Sequence, residues 1–402
     1  MTLTEIAGGI TTPIGFHVAV GNAGIRESSA PDLVLISSDR AASAAATFTT
    51  NRMRAAPVLL AEEALRMSRS SIRGIVVNAG CANAGTGEGG LHDARSVIEA
   101  AADRIGCSVY EVLPASTGLI GSRLPVDAMR TCLATLQAER SPEAGSHAAR
   151  AIMTTDTRPK EHATSLTLSD GRVIRIGGMA KGSGMIHPQM ATMLAFVTTD
   201  APIEADALAS VLRASVDVTF NQVTVDGDTS TNDAVMVLAN GAAGGPSIEG
   251  ADRRAFADAL TGVCRALAID VAADGEGAQH LIEVVVHGAR TDAEARSVAR
   301  TVASSSLVKT AVHGADPNWG RIAAAAGRSG VELDADRMRI CIGDVPVYDG
   351  SPVAFDEARA RAVLAEPRVA LGLDLLAGEG TGVAWGCDLS ADYVMINSEY
   401  TT

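Results

Sequence analysis

Apolar positions along the chain follow two periods, and the periods alternate. Ile72–Gly80, IRGIVVNAG, is a short apolar run closed by glycine and predicts a buried strand. In Leu91–Ile105 the residues Leu91, Ala94, Ile98, Ala101 and Ile105 recur at helical spacing and predict an amphipathic helix. The same reading predicts strands at Val173–Ile176 and Met193–Val197 on either side of a glycine-rich loop, a helix at Ile203–Val216, and a strand at Val235–Ala239. A helix at Arg254–Val271 and a strand at Ile282–Val286 follow, and then a helix from Asp292 with that aspartate as N-cap. Pro142–Ser146 and Gly245–Gly250 read as surface loops, and His287–Asp292 as a boundary. The alternation predicts an α/β fold without giving the sheet order.

The chain has 402 residues, more than one ordinary core holds, so two lobes are expected: a core of approximately 1–287 and a C-terminal lobe of approximately 288–402. Aromatics are only 3%, so the interior must be built from small and aliphatic side chains in close contact. The formal charge of −14 argues against nucleic acid and against anionic membranes, both of which attract a basic surface. No apolar run approaches the roughly 20 residues of a membrane span. The first residues, MTLTEIAGG, carry an acid and no base, unlike a secretory signal. The six cysteines stand singly with no C-x-x-C, which suggests reduced thiols and a cytoplasmic protein rather than a zinc or dithiol site.

The segment richest in chemistry is Gly177–Ala201, GGMAKGSGMIHPQMATMLAFVTTDA. Its glycines permit positive φ and close backbone approach, and Pro188 restricts His187. Thr192 stands where this loop becomes an apolar strand. A threonine hydroxyl becomes a good nucleophile when a base is adjacent, and a free α-amine on the same residue is one such base, titrating at about 7.7–8.0. An internal threonine gains that amine only if it first attacks the carbonyl of Ala191 and water releases the N-terminal piece. The pattern alone reads first as a turn before a strand that favours threonine. Other motifs dissolve on inspection. DGDTSTND has calcium-loop spacing, but Thr231 stands where glycine is needed and Val237 where the bidentate glutamate is needed. GGMAKGSG does not fit a phosphate-binding loop, and the eight histidines show no metal-like pairing.

Lys181–Leu194, KGSGMIHPQMATML, closely resembles the self-processing site of the ornithine acetyltransferases, also called glutamate N-acetyltransferases. The resemblance runs through NAGCANAGTG (Asn78–Gly87), STGLIG (Ser116–Gly121), AIMTTDTRPK (Ala151–Lys160) and TFNQVTVDGDTSTND (Thr219–Asp233). It continues in DGEGA (Asp274–Ala278), SLVKTAVHGADPNWGRI (Ser306–Ile322) and CDLSADYVMINSEYTT (Cys387–Thr402). It implies a layered α/β core of the N-terminal-nucleophile, aminopeptidase-like type. It also implies self-cleavage between Ala191 and Thr192 into an α chain (1–191) and a β chain (192–402), paired as an α2β2 heterotetramer.

By that resemblance Thr192 is the nucleophile of both cleavage and acyl transfer, and Thr117 and Gly118 form the oxyanion hole. A hydroxyl and a backbone N–H at a tight turn suit that task, although STG alone also reads as a helix-capping turn before Leu119. Thr155, Lys181, Glu276, Asn397 and Thr402 match substrate contacts, with Thr154 and Thr157 close enough to blur the choice of threonine. Alone, Lys181 would read as solvated and Glu276 as a surface carboxylate. The implied reaction is ping-pong: N-acetylornithine acetylates Thr192, and glutamate takes the acetyl group, as in cyclic arginine biosynthesis. Neither metal nor organic cofactor is implied, and acetyl-CoA stands as an alternative donor. A hydrolase on the same scaffold, a relative serving a secondary-metabolite pathway and a binding module are the competing readings. Two departures from the family pattern stand out: Gln189 replaces the usual asparagine near the cut, and Gln279-His280 replace threonine-lysine after DGEGA.

Overall fold

A computed structural model describes residues 2–187 and 193–399. Nine strands form one sheet in which the long strand Leu33–Phe48 serves twice. Its first half pairs with Phe16–Gly21 and with Ile72–Cys81, which in turn runs parallel to Val112–Leu119. Its second half pairs with Ala234–Ala239, and from there the sheet continues through Leu194–Thr199, Val173–Lys181, Lys160–Thr167 and Thr2–Ile6. The register breaks between Ser37 and Ala42, where one half folds over the other.

The result is four layers: helices, strands, strands, helices. Successive side chains of a strand point to opposite faces, so a strand buried on both faces reads as an unbroken apolar run. Ala234–Ala239, AVMVLA, is such a run. Val235, Val237 and Ala239 face a core shared with the helices Ala205–Asp217 and Gly250–Ala273, through Leu208, Leu212, Phe256 and Leu267. Met236 and Leu238 face the core between the two strand layers, where they meet Phe16, Ile36 and Val77. On the far side Leu33, Leu35 and Val76 pack on the helices Ala56–Ser68, Gly87–Ile105 and Val126–Thr135. Each large side chain buried this way contributes about 1.5–3 kcal/mol. Ala42, Ala44 and Ala45 let the layers close where the long strand crosses between them, as the scarcity of aromatics requires.

A second sheet of six strands runs in the order Val345–Asp349, Arg339–Ile342, Arg368–Asp374, Leu281–Ala289, Gly380–Cys387, Val223–Thr224. Its core gathers Ile282, Val284 and Val286 with residues of the helix Asp292–Ala303. The two units are joined rather than strung apart. Val223–Thr224 belongs to the second sheet, and Leu281, Trp385 and Cys387 pack into the core of the first unit. The division expected near residue 287 falls inside the strand Leu281–Ala289, where Leu281 faces one core and Ile282 the other.

The α/β class agrees with the sequence pattern, and three local expectations are corrected. Pro142–Ser146 is not a loop but opens the helix Pro142–Ala151, capped by Ser141, whose hydroxyl accepts from the Ala144 N–H. The cap of the helix Asp292–Ala303 is Thr291, which accepts from the Glu294 N–H, and Asp292 lies in the first turn. The glycine-rich loop begins later than expected, because Gly177–Lys181 completes a strand. Gly177 is needed there: a Cβ would stand 2.0 Å from the carbonyl oxygen of Gly9. Among the described residues no helix is long and apolar enough to cross a membrane.

Candidate active site

Two strand ends from different layers meet at the site. Val112–Leu119 delivers Thr117 and Gly118, and Val173–Lys181 delivers Lys181. STG is therefore the end of a strand and not a helix-capping turn, which corrects that reading and equally the expectation of a tight turn. Gly118 has φ +130°, and a Cβ would lie 2.2 Å from the carbonyl carbon of Gly80, on the partner strand at a register shift. Only glycine fits such a position.

Lys181 is buried, not solvated. Its Nζ donates to Thr154 Oγ1 at 2.7 Å and to Thr117 Oγ1 at 3.3 Å. With its oxygen accepting from an ammonium, Thr117 keeps its own proton free to donate elsewhere. Burial pushes the Lys181 ammonium below its ordinary pKa, opposed by Asp156, whose carboxylate lies 3.9 Å away.

Asp156 anchors a charge network beneath this lysine. It accepts from Lys160 Nζ and from the Gly182 N–H, both at 2.6 Å, and from the Thr154 N–H at 3.0 Å. Burial alone would raise its pKa, but the Lys181 and Lys160 charges and the Gly182 N–H overcome this and hold it at about 2. Lys160 Nζ also donates to Asp274 at 2.6 Å. Asp274 accepts from both the N–H and the hydroxyl of Thr157, and its carbonyl accepts from Ser183 Oγ. Two buried lysines thus face two buried aspartates, which is the condition for holding charge in an interior.

The network reaches Glu276 two residues on. Its N–H donates to the Ser183 carbonyl at 3.0 Å, and its carboxylate accepts from Asn397 Nδ2 at 2.8 Å. Glu276 is half-buried beside the loop after Lys181, so it is no ordinary surface carboxylate. The helix Ala391–Glu399 that carries Asn397 is held to the same loop: Tyr393 donates to Asp226, which accepts the Met185 and Ile186 N–H groups.

The three candidate threonines separate. Thr154 is taken by Lys181, Thr157 by Asp274, and Thr155 makes no hydrogen bond among the described residues. Ala191, Thr192 and Thr402 lie outside the described residues, as does Gln189. At Gln279 and His280 both N–H groups donate to Asp388 at 2.8 Å, and the His280 ring turns to the Glu366 carbonyl. That departure falls on the junction between the lobes.

Residues 17–402 match the ArgJ family. The chain belongs to the ArgJ family. It is 49% identical over 416 residues to the arginine biosynthesis bifunctional protein ArgJ of Thermosynechococcus vestitus, covering 99% of each chain. It is 50% identical over 402 residues to that of Symbiobacterium thermophilum, again covering 99% of each. A crystal structure of ArgJ from Bacillus halodurans is 48% identical with a TM-score of 0.50, and its chain matches along 98% of itself but along 51% of this chain. An ornithine acetyltransferase from Mycobacterium tuberculosis, crystallised with ornithine, is 37% identical, matching 98% of its chain and 46% of this one, with a TM-score of 0.42.

For a member of the ArgJ family, sequence reasoning named Thr117, Gly118, Lys181, Glu276 and Asn397, and the structure brings them to one region. It missed Asp156, Lys160 and Asp274. One signal was available for the first two: opposite charges four residues apart inside AIMTTDTRPK. Lys160 and Asp274 are 114 residues apart, and no local pattern announces such a pair.

Proposed function

We propose that this chain transfers the acetyl group of N2-acetylornithine to glutamate through an acetyl ester on Thr192, after the Ala191–Thr192 bond has been cut. ArgJ membership, established along nearly the whole chain, carries acetyl transfer in arginine biosynthesis. The observation that best supports the residue assignment is the buried Lys181 ammonium bonded to the Thr117 hydroxyl.

In this reading Thr192 Oγ attacks the acetyl carbonyl while its proton passes to the Thr192 α-amine. Negative charge develops on the acetyl oxygen. Thr117 O–H and Gly118 N–H donate to it, and the Lys181 charge one bond behind Thr117 strengthens that donor. Ornithine departs as the amine, taking the proton back, and glutamate repeats the sequence in reverse. Glu276, positioned by Asn397, suits an ammonium of the substrate, and Thr155 is assigned a substrate contact by resemblance. Thr402 is assigned a substrate contact by resemblance. No step calls on a metal or organic cofactor, and acetyl-CoA is a second donor to be tested.

Self-cleavage draws support from the Bacillus halodurans chain, which matches half of this one along nearly all of its own length. The two fragments are expected to stay together. Leu194–Thr199 pairs with Val173–Lys181, and Ala234–Ala239 with Leu33–Phe48, so the cut would leave one sheet built from both. An α2β2 assembly and a cytoplasmic location complete the proposal.

The test is intact mass of the purified protein on both sides of a Thr192→Ala change, followed by product analysis. Fragments ending at Ala191 and beginning at Thr192, absent in the variant, with acetylglutamate formed from acetylornithine, support the proposal. Acetate released at the same rate with or without glutamate would make the enzyme a hydrolase. Replacing acetylornithine by acetyl-CoA decides the second donor.

A further inference from the structure

The turn that carries Glu276, residues 274–280, is held by a second segment, residues 387–393. Asp388 Oδ1 accepts the N–H groups of Gln279 and His280, both at 2.8 Å, and the Asp388 N–H donates to the His280 carbonyl at 3.1 Å. Ser390 Oγ donates to the Gly277 carbonyl at 2.7 Å and accepts from the Tyr393 N–H at 3.4 Å. Both glycines beside Glu276 are demanded by this contact. At Gly275 a Cβ would lie 2.5 Å from Cys387 Sγ. At Gly277, with φ +70°, it would lie 2.6 Å from the Tyr393 nitrogen and 2.8 Å from Ser390 Oγ.

The holding segment is anchored in turn by the helix Ser306–His313. Asp388 is 2% exposed, and its Oδ2 pairs with His313 Nδ1 at 2.8 Å. Lys309, buried on the same helix, donates to the Cys387 carbonyl, and the Leu389 N–H donates to the Lys309 carbonyl at 3.4 Å. Glu276 therefore has two kinds of support. Asn397 touches its carboxylate at 2.8 Å, while Asp388 and Ser390 fix the backbone from which that carboxylate projects. A carboxylate that must meet a substrate ammonium needs such backbone, since a displacement of about 1 Å can cost about 100-fold.

We propose that Asp388 and Ser390 are positioning residues for substrate recognition: they act through the Glu276 turn to set where its carboxylate meets the substrate ammonium, and they leave the acyl-transfer step alone. The stretches around Lys309–His313 and Cys387–Ser390 thereby serve the site from the second sheet's side of the molecule. The inference rests on the substrate role given to Glu276 above.

The experiment measures kcat and KM for acetylornithine in wild type, Asp388→Ala, Asp388→Asn, Ser390→Ala and Glu276→Gln. It adds the double variants of Glu276→Gln with each alanine. Expected is a KM rise of about tenfold in Asp388→Ala and about threefold or more in Ser390→Ala, with kcat within about threefold of wild type. Asp388→Asn keeps an oxygen for both N–H groups and should return KM to within about twofold of wild type. In the Glu276→Gln background either alanine should change KM by less than about twofold, because all act through one carboxylate. A merely structural role would give the same KM change in both backgrounds, and that result overturns the proposal. Wild-type KM in both alanine variants, or losses that fall on kcat instead, overturns it too. Should Asp388→Ala fail to fold, Ser390→Ala decides: a KM rise that disappears in Glu276→Gln supports the proposal, and any other result overturns it. A Glu276→Gln enzyme with wild-type KM defeats the Glu276 reading and this inference together, whereas a raised KM there beside silent alanine variants defeats this inference alone.

Discussion

Lys181 donates to the hydroxyl of Thr117 at 3.3 Å across 64 residues and two strand layers. Nothing in either local sequence requires this bond. It exists because one strand ends in lysine, another ends in Ser-Thr-Gly, and the fold stacks their ends. The consequence is a hydroxyl whose oxygen is occupied by a cation and whose proton is available.

Lys181→Met should therefore lose more than a substrate contact. With the cation gone, Thr117 is free to rotate and its donor strength falls. A drop in kcat of about 100-fold or more is expected, with a smaller change in KM. Thr117→Ala should lose a similar factor, and the double variant little more than either single one, because both act on the same donor. Additive losses would show that Lys181 acts on substrate independently of Thr117.

Lys160 sits at the centre of the buried charge network, so its loss is expected to show first in stability. It is 1% exposed and bonds to both Asp156 and Asp274 at 2.6 Å. Lys160→Met would leave Asp274 without its cation and Asp156 with only the more distant Lys181. A cost of about 3–5 kcal/mol in urea unfolding is expected. Wild-type stability should depend on pH in a defined window. The carboxyl of Asp156 is held at about 2, below its unfolded value. Its contribution, of order 2 kcal/mol, is present above about pH 4 and lost as pH falls toward about 2. In Lys160→Met the native carboxyl moves up toward its unfolded value, so this acid-side loss should be smaller than in wild type.

The parts of this fold that sequence made legible are those with one period and one neighbourhood. Ala234–Ala239 is apolar at every position because both its faces are covered, so a run predicts it well. The helix Pro142–Ala151 escaped because its buried face is Ala144, Gly145, Ala148 and Ala149, residues too small to raise an apolar signal. Strand-to-loop boundaries moved where a glycine is demanded by an approaching backbone, as at Gly177, rather than by a turn. The site divides likewise. Thr117, Gly118, Lys181 and Glu276 were named by motif, but the charges that hold them are pairs of remote residues.

Glu276 offers a test of substrate recognition separate from chemistry. Its carboxylate accepts from Asn397, which leaves an acceptor for a cationic amine. Glu276→Gln keeps the size and removes the charge. KM for acetylornithine should rise by about tenfold or more while self-cleavage proceeds normally. Asn397→Ala should raise KM less, since it frees the carboxylate to move without neutralising it. A slowed cleavage in Glu276→Gln would show that the residue also acts on the uncut chain.

Gly118 gives the sharpest steric prediction. At φ +130° an L side chain is strained, and its Cβ would enter the backbone of Gly80 at 2.2 Å. Backbone cannot rotate away as a side chain can, so Gly118→Ala must separate two paired parallel strands or twist out of the left-handed region. Either response moves the N–H assigned to the oxyanion. Stability should fall by about 2–4 kcal/mol, and any folded fraction should show kcat reduced by about 100-fold. Cys81→Ala, one residue along the same register shift, adds no atom to the crowded contact. It should leave kcat within about twofold and so serves as the control for a general weakening of the strand pair.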